Sequence, residues 1–344
     1  MNQLLRIPLI LLLLFAVLPA VSSAQIQITL DPQAADAMLS ILAKNRRGEP
    51  LEEADWRRLF DSDGYRRLGE RKAAMGREFG EAWFQEFGLS EELAGRAAAL
   101  ETTLAAWRQI EFASLAAQVL DYLPPDASIK ATIYPMIKPR GNSFVFDLTG
   151  DPAIFLYLDP EVTPEKFINT VLHELHHIGL GGSCPTEAVQ AEIDALPEGT
   201  RKVLRWIGAF GEGFAMLAAA GGTDVHPHAV SEARERARWD ADVARCDDDL
   251  RMLEGFFLDL LAGRLTEEQE VATARSFYGV QGPWYAVGWC MVTTIERAFG
   301  KRALIDAFCD PRRFLPTYNR AVAHSEADAA VWSEALLKGL VETR

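Results

Sequence analysis

Thr163-Pro164-Glu165-Lys166-Phe167-Ile168-Asn169-Thr170-Val171-Leu172-His173-Glu174-Leu175-His176-His177-Ile178-Gly179-Leu180-Gly181-Gly182 is the stretch on which the reading of this chain turns. Thr163 suits an N-cap, Pro164 fits the first helical position, and Glu165 complements the helix dipole behind it. A helix is therefore predicted to about Ile178, with Gly179 and Gly181-Gly182 ending it. Phe167, Val171, Leu172 and Leu175 supply a core face. His173 and His177 stand four residues apart on another face, so both imidazoles can reach one metal ion at about 2.0–2.1 Å. Glu174 lies beside that position, where it can accept a proton from a water whose pKa a metal lowers toward about 7. The plain alternative is a packed helix with surface histidines. The pattern falls inside a well-capped helix directly after predicted strands, which favours the metal. His176 is about 100° round the helix from its neighbours and is expected to play a supporting or surface role.

A catalytic zinc usually takes three protein ligands and leaves one position open. The extended pattern H-E-x-x-H-x-x-G-x-x-H is absent, because the third and sixth residues after His177 are Leu180 and Ser183. Glu212, in Gly211-Glu212-Gly213-Phe214-Ala215, is the better third donor: between Arg205 and Asp224 it is the only ionisable side chain in an apolar helical stretch. Burying an unpaired carboxylate is costly, and a cation compensates it. Gly208, Ala209, Gly211, Gly213 and Ala215 are expected to let its helix approach the His173–His177 helix closely. A carboxylate on a solvent face or paired with an arginine is the bland alternative. Glu187 and Glu192 are held in reserve, in a polar segment where a charge needs no special explanation.

Working outward, residues 128–137, 143–148 and 153–158 gather β-branched and aromatic residues between turn-forming segments, and three short strands in succession predict a small antiparallel sheet ahead of the metal helix. Pro124-Pro125 marks the boundary before them. From Asp31 to Leu123 the chain reads as helices: one opened by Asp31-Pro32, another over Leu51–Phe60, and a long Ala/Leu-rich stretch over Ser90–Leu120 with Ser90 as N-cap. The expected architecture is α+β and mostly helical, with a helical N-terminal lobe over residues 25–123 and a catalytic domain over 124–344. At 344 residues and 49% hydrophobic composition a sizeable core is available. A formal charge of −14 and the lack of a basic stretch with interleaved aromatics argue against a nucleic-acid partner.

Residues 1–24 carry Arg6, an apolar run from Ile7 to Val21, and Ser22-Ser23-Ala24, the pattern of an export signal cleaved after Ala24. That run is short of the about 20 residues a spanning helix needs, and no later stretch reads as a span. The mature protein is expected to be soluble, periplasmic or secreted, without stable membrane insertion. Cys184, Cys246, Cys290 and Cys309 are an even set in an exported chain, so two disulfides are expected. Gly300 is a natural helix terminator, and an antiparallel hairpin with its apex at Phe299-Gly300 would set Cys290 opposite Cys309. The predicted pairs are Cys290–Cys309 and Cys184–Cys246.

His173-Glu174-Leu175-His176-His177, the segment Gly211 to Ala215, and Trp284-Tyr285-Ala286-Val287-Gly288-Trp289 resemble the gluzincins, and more closely a group of uncharacterised bacterial zinc-dependent peptidases. The likeness spans roughly Thr163 to Asn319, with a weaker echo in Trp56 to Leu68. It implies a zincin-like fold, one Zn²⁺ per chain, and metal-activated water attacking a peptide or related acyl carbon. In gluzincins the helix of the third ligand often carries, four residues on, an acid that orients a histidine; here that place is Met216. Asp240, Asp242 and the run Asp247-Asp248-Asp249 are the alternatives. A second donor usually helps the metal stabilise an oxyanion, and Tyr285, after Gly282-Pro283 at a helix start, is the first choice, with Tyr278, His226 and His228 behind it. The leading expectation is a metallopeptidase acting on a peptide or protein substrate. A non-catalytic zincin-fold scaffold, which the intact Glu174 speaks against, and a zinc hydrolase of a non-peptide substrate are the competing readings.

Overall fold

The computed structural model describes residues 25–341 apart from 79, 140, 142, 148, 149, 326 and 327; the export signal predicted over residues 1–24 lies outside them. In chain order the elements are β1 (Ile26–Leu30), α1 (Gln33–Arg46), α2 (Glu53–Phe60), α3 (Asp63–Ala74), α4 (Glu81–Gly88), α5 (Glu91–Trp107), α6 (Phe112–Leu120), β2 (Ile129–Met136), β3 (Phe144–Phe146) and β4 (Ala153–Tyr157). There follow α7 (Pro164–Gly181), α8 (Glu187–Asp194), α9 (Glu198–Ile207), a 3-10 turn (Gly208–Phe210), α10 (Gly211–Ala220), α11 (Ala233–Val243), α12 (Cys246–Leu261), α13 (Glu267–Ser276), α14 (Pro283–Phe308), α15 (Pro311–Ser325) and α16 (Glu334–Val341). The class is α+β and mostly helical, as the sequence predicts.

The sheet is mixed, which corrects the antiparallel expectation. Its order is β1-β2-β4-β3; β1–β2 and β2–β4 are parallel, and only β3–β4 is antiparallel. Hydrophobic patterning explains the order. Ala153 to Leu156 are all buried, so β4 is covered on both faces and takes an inner place between β2 and β3, whereas β3 is half-exposed and stays at the edge. The strand β1 was not anticipated, although Ile26-Gln27-Ile28-Thr29-Leu30 alternates apolar and polar residues as a half-buried strand should.

The signals at helix starts hold. Ser90 accepts a hydrogen bond from the Leu93 amide, and Thr163 accepts one from the Lys166 amide. The metal helix runs past its expected end to Gly181, because Gly179 is a packing residue: a Cβ there would lie 2.2 Å from Leu123 Cδ1. Trp107 stacks on Phe167 at 3.7 Å and Phe112 meets the same ring edge-on at 6.2 Å, so the end of α5 and the start of α6 clamp the start of α7. One apolar cluster is continuous from Ile26 to Leu340. The run Glu198–Ala220 is long and apolar enough to cross a membrane by length and composition, against expectation, and most of it is buried inside the protein.

Two disulfides form, but with partners other than those predicted: Cys184–Cys309 and Cys246–Cys290. Gly300 does break α14, at φ 82°, yet the pieces on either side do not fold back to set Cys290 against Cys309. Cys290 instead faces the start of α12, while Cys309, at the far end of α14, reaches the segment just after α7. Such pairs are at home in an oxidising compartment.

Candidate metal centre

Helix α7 is buried at Val171, Leu172, Leu175, His176 and Ile178, and partly open at His173, Glu174 and His177. Helix α10 is buried from Gly213 to Ala219, while Glu212 in its first turn is partly open. The two openings coincide. His173 Nε2 and Glu212 Oε2 are 3.2 Å apart, His177 Nε2 and Glu212 Oε2 are 3.2 Å apart, and the two imidazole Nε2 atoms are 3.1 Å apart.

Those three atoms fit a zinc ion. A tetrahedral zinc with bonds of about 2.0–2.1 Å separates its ligand atoms by about 3.3 Å, so this triangle is close to one face of such a tetrahedron, with the fourth corner left for water or substrate. With the ring protons on Nδ1, both Nε2 atoms and the carboxylate oxygen turn lone pairs toward one point, which a divalent cation satisfies. Burial works to raise the Glu212 pKa, but His177 and His173 outweigh it and hold the carboxyl well below the usual carboxylate range. Burial lowers His177 and the Glu212 carboxylate raises it, with a net rise. Glu174 is pushed up, by burial first and by the Glu212 charge in addition.

Helix α10, which carries Glu212, packs on both α7 and α14, and its tightest backbone approach is to α14. A Cβ on Gly213 would sit 2.1 Å from the Trp289 amide nitrogen, and one on Gly288 would sit 2.8 Å from the Phe210 carbonyl oxygen, so α10 and α14 cross backbone to backbone. Gly211 faces Phe308, and a Cβ on Gly208 would meet open space. The small residues around Glu212 are expected to let its helix approach α7, and α10 does pack on α7; Gly213 in addition brings α14 to the site, and Tyr285 with it. The Tyr285 ring lies parallel to His173, 6.3 Å away and inclined by 13°. Burial and the neighbouring Glu212 carboxylate raise its pKa far above that of a free phenol, and burial pushes Tyr278 up to about 12. Both phenols stay protonated at neutral pH, as hydrogen-bond donors.

Residues 56–327 match the model of a protein family described as "Putative zinc dependent peptidase (DUF5700)". The chain belongs to that family. No curated protein and no solved structure matches it. The zinc named in that family's description agrees with the donor set just described.

The remaining sequence candidates lie elsewhere. Glu187 is exposed, and Glu192 pairs with Arg312 at 2.6 Å. Asp240 bonds His226 at 2.9 Å, Asp242 pairs with Arg245, Asp247 accepts from the Ala330 amide, and Asp248 pairs with Arg251, which leaves these acids occupied away from His173 and His177. His228 bonds Ser231 at 2.9 Å and packs on Trp239. His176 is fully buried with its ring 4.5 Å from Phe214, which removes the surface role allowed for it; burial and the two neighbouring histidines keep it neutral.

Two cavities open from His177. One, of about 670 Å³, has apolar walls at Leu180, Ile193, Leu204 and Phe308 and charged lining of both signs, from Asp194 and Glu198 and from Arg201, Lys202 and Arg205. The other, of about 490 Å³, lies between Glu212, Trp206, Tyr278, Arg205 and Arg275. Sequence reasoning missed this wall of α9 and α13. It is anchored on Glu270, fully buried, which takes a hydrogen bond from Trp206 Nε1 at 2.7 Å and pairs with Arg205. A buried acid beside Lys202, Arg205 and Trp206 was not recognisable from spacing, since its partners come from a separate helix.

Proposed function

We propose that this protein is a zinc metallopeptidase of the gluzincin type, exported from the cytoplasm, in which His173, His177 and Glu212 hold one zinc and Glu174 is the general base. The observation that carries this reading is the triangle of Nε2, Nε2 and Oε2 with Glu174 one residue from the first ligand. When bound, zinc would supply a Lewis acid and lower the pKa of a coordinated water. Glu174 takes the proton from the attacking water and returns it to the leaving amine nitrogen, and burial strengthens it as a base. Tyr285 donates its phenol hydrogen toward the oxygen on which charge develops. The cavities beside His177 receive the side chains flanking a scissile amide. The two disulfides support folding in an oxidising compartment.

The test is digestion of a peptide library by the zinc-loaded wild type and by Glu174→Gln. The wild type is expected to cleave. The variant should keep its zinc and lose at least about 10²–10⁴-fold in rate, because a proton acceptor is removed and no ligand is. Undiminished hydrolysis by Glu174→Gln, or stoichiometric zinc with no peptide cleaved by the wild type, overturns the reading.

A further inference from the structure

A third cavity, of about 340 Å³, shares no lining residue with the two at the metal. It lies among α3, α4 and the segment leading into β3. Arg71, Lys72, Arg77 and Lys138 line it, and among the described residues no acidic side chain does, in a chain of formal charge −14. Chance placement on so acidic a protein would mix the signs.

The positions of the two arginines sharpen this. The Arg71 guanidinium carbon lies over the Phe144 ring, 3.8 Å from its centroid, so a cation–π contact holds the charged group at the cavity wall. Burial, and then the nearby Arg77, pull Arg71 below the ordinary guanidinium value. An arginine remains charged nonetheless, so two like charges converge at a partly desolvated place with no described carboxylate between them. An anion relieves that repulsion. The remaining wall is apolar and unusually open: Trp83 is 44% exposed and Met75 44% exposed, both lining the same cavity. Its volume is at the small end of the about 300–1,000 Å³ that small-molecule sites occupy.

We propose that this cavity binds an organic carboxylate with an apolar body about the size of one aromatic ring, its oxygens on Arg71 and Arg77 and its body against Trp83 and Met75. A guanidinium edge matches the two oxygens of a carboxylate, and an exposed indole matches a ring. Such a group comes either as a free acid or as the C-terminal residue of a peptide.

Isothermal titration calorimetry of the zinc-loaded full chain with N-acetyl-phenylalanine, its neutral amide, and acetyl-Ala-Ala-Phe bearing a free C-terminus tests this. The free carboxylate is expected to bind and the amide to bind about tenfold more weakly or worse, with Arg71→Gln and the exposed Arg77→Gln each costing about tenfold. Tighter binding of the tripeptide identifies a peptide terminus as the source; tighter binding of the single residue identifies a free acid. Equal binding of acid and amide, or no heat of binding at millimolar ligand, overturns the proposal. So does binding that survives both arginine substitutions and disappears on chelation of the zinc, because the carboxylate is then on the metal.

Discussion

Glu212 holds a partly buried carboxylate against two imidazoles, an arrangement with little reason to exist without a cation. Replacing it with alanine is expected to weaken zinc binding by more than the about 10–100-fold that loss of an outer-shell partner costs, while Glu187→Ala and Glu192→Ala leave it unchanged; competition with a chromophoric chelator measures all three. Tyr285→Phe should lower kcat by about 10²–10³-fold with little change in KM, if its hydroxyl acts only as charge develops on the carbonyl oxygen. Proton competition sets the pH dependence. Because the Glu212 carboxylate raises His177 above the ordinary histidine value, it takes up a proton at higher pH than a free imidazole does, and metal must displace that proton. Zinc affinity is therefore predicted to fall as pH drops from about 8 to about 6; a flat profile would contradict the raised value. At this scale the spacing of His173 and His177 was fully legible, and Glu212 stood out by its isolation among apolar residues. The full burial of His176 was not, because it depends on Phe214 from another helix.

Helix α10 is placed by its contact with α14, and the tightest point of that contact is Gly213 against Gly288. Gly213→Ala should cost about 1–3 kcal/mol or more in denaturant unfolding and weaken zinc binding, since the added methyl group meets backbone that cannot step aside and Glu212 is the adjacent residue. Gly208→Ala, into open space on the same stretch, should leave both unchanged. Caps and strand positions were readable because they depend on neighbours in sequence: Thr163, Ser90 and the three strands after Pro124-Pro125 are all where local chemistry puts them. The order of strands was not, because β4 takes its place by how much of its surface must be covered. The role of Gly179 was misread for the same reason, as its lack of a side chain serves Leu123.

Across the whole molecule, α14 is pinned by both disulfides, to α12 through Cys246–Cys290 and to the segment after the metal helix through Cys184–Cys309. The second joins residues 125 apart and the first residues 44 apart, so in the chain-entropy account they contribute about 5 and about 4 kcal/mol. Loss of Cys184–Cys309 by paired serine substitution should therefore destabilise more than loss of Cys246–Cys290, and peptide mapping should recover these two pairs. The pairing was beyond sequence reasoning because four cysteines allow three connectivities and the path of α14 past Gly300 is set by packing. The family membership and the mixed sheet frame the metal helix, and the claim that rests on them all is a single zinc on three named atoms. A crystal structure of the zinc-loaded protein, with an anomalous difference map at the zinc edge, tests that claim most directly. The account predicts one peak about 2.0–2.2 Å from His173 Nε2, His177 Nε2 and a Glu212 carboxylate oxygen; a peak elsewhere, or zinc held by the histidines with Glu212 turned away, would contradict it.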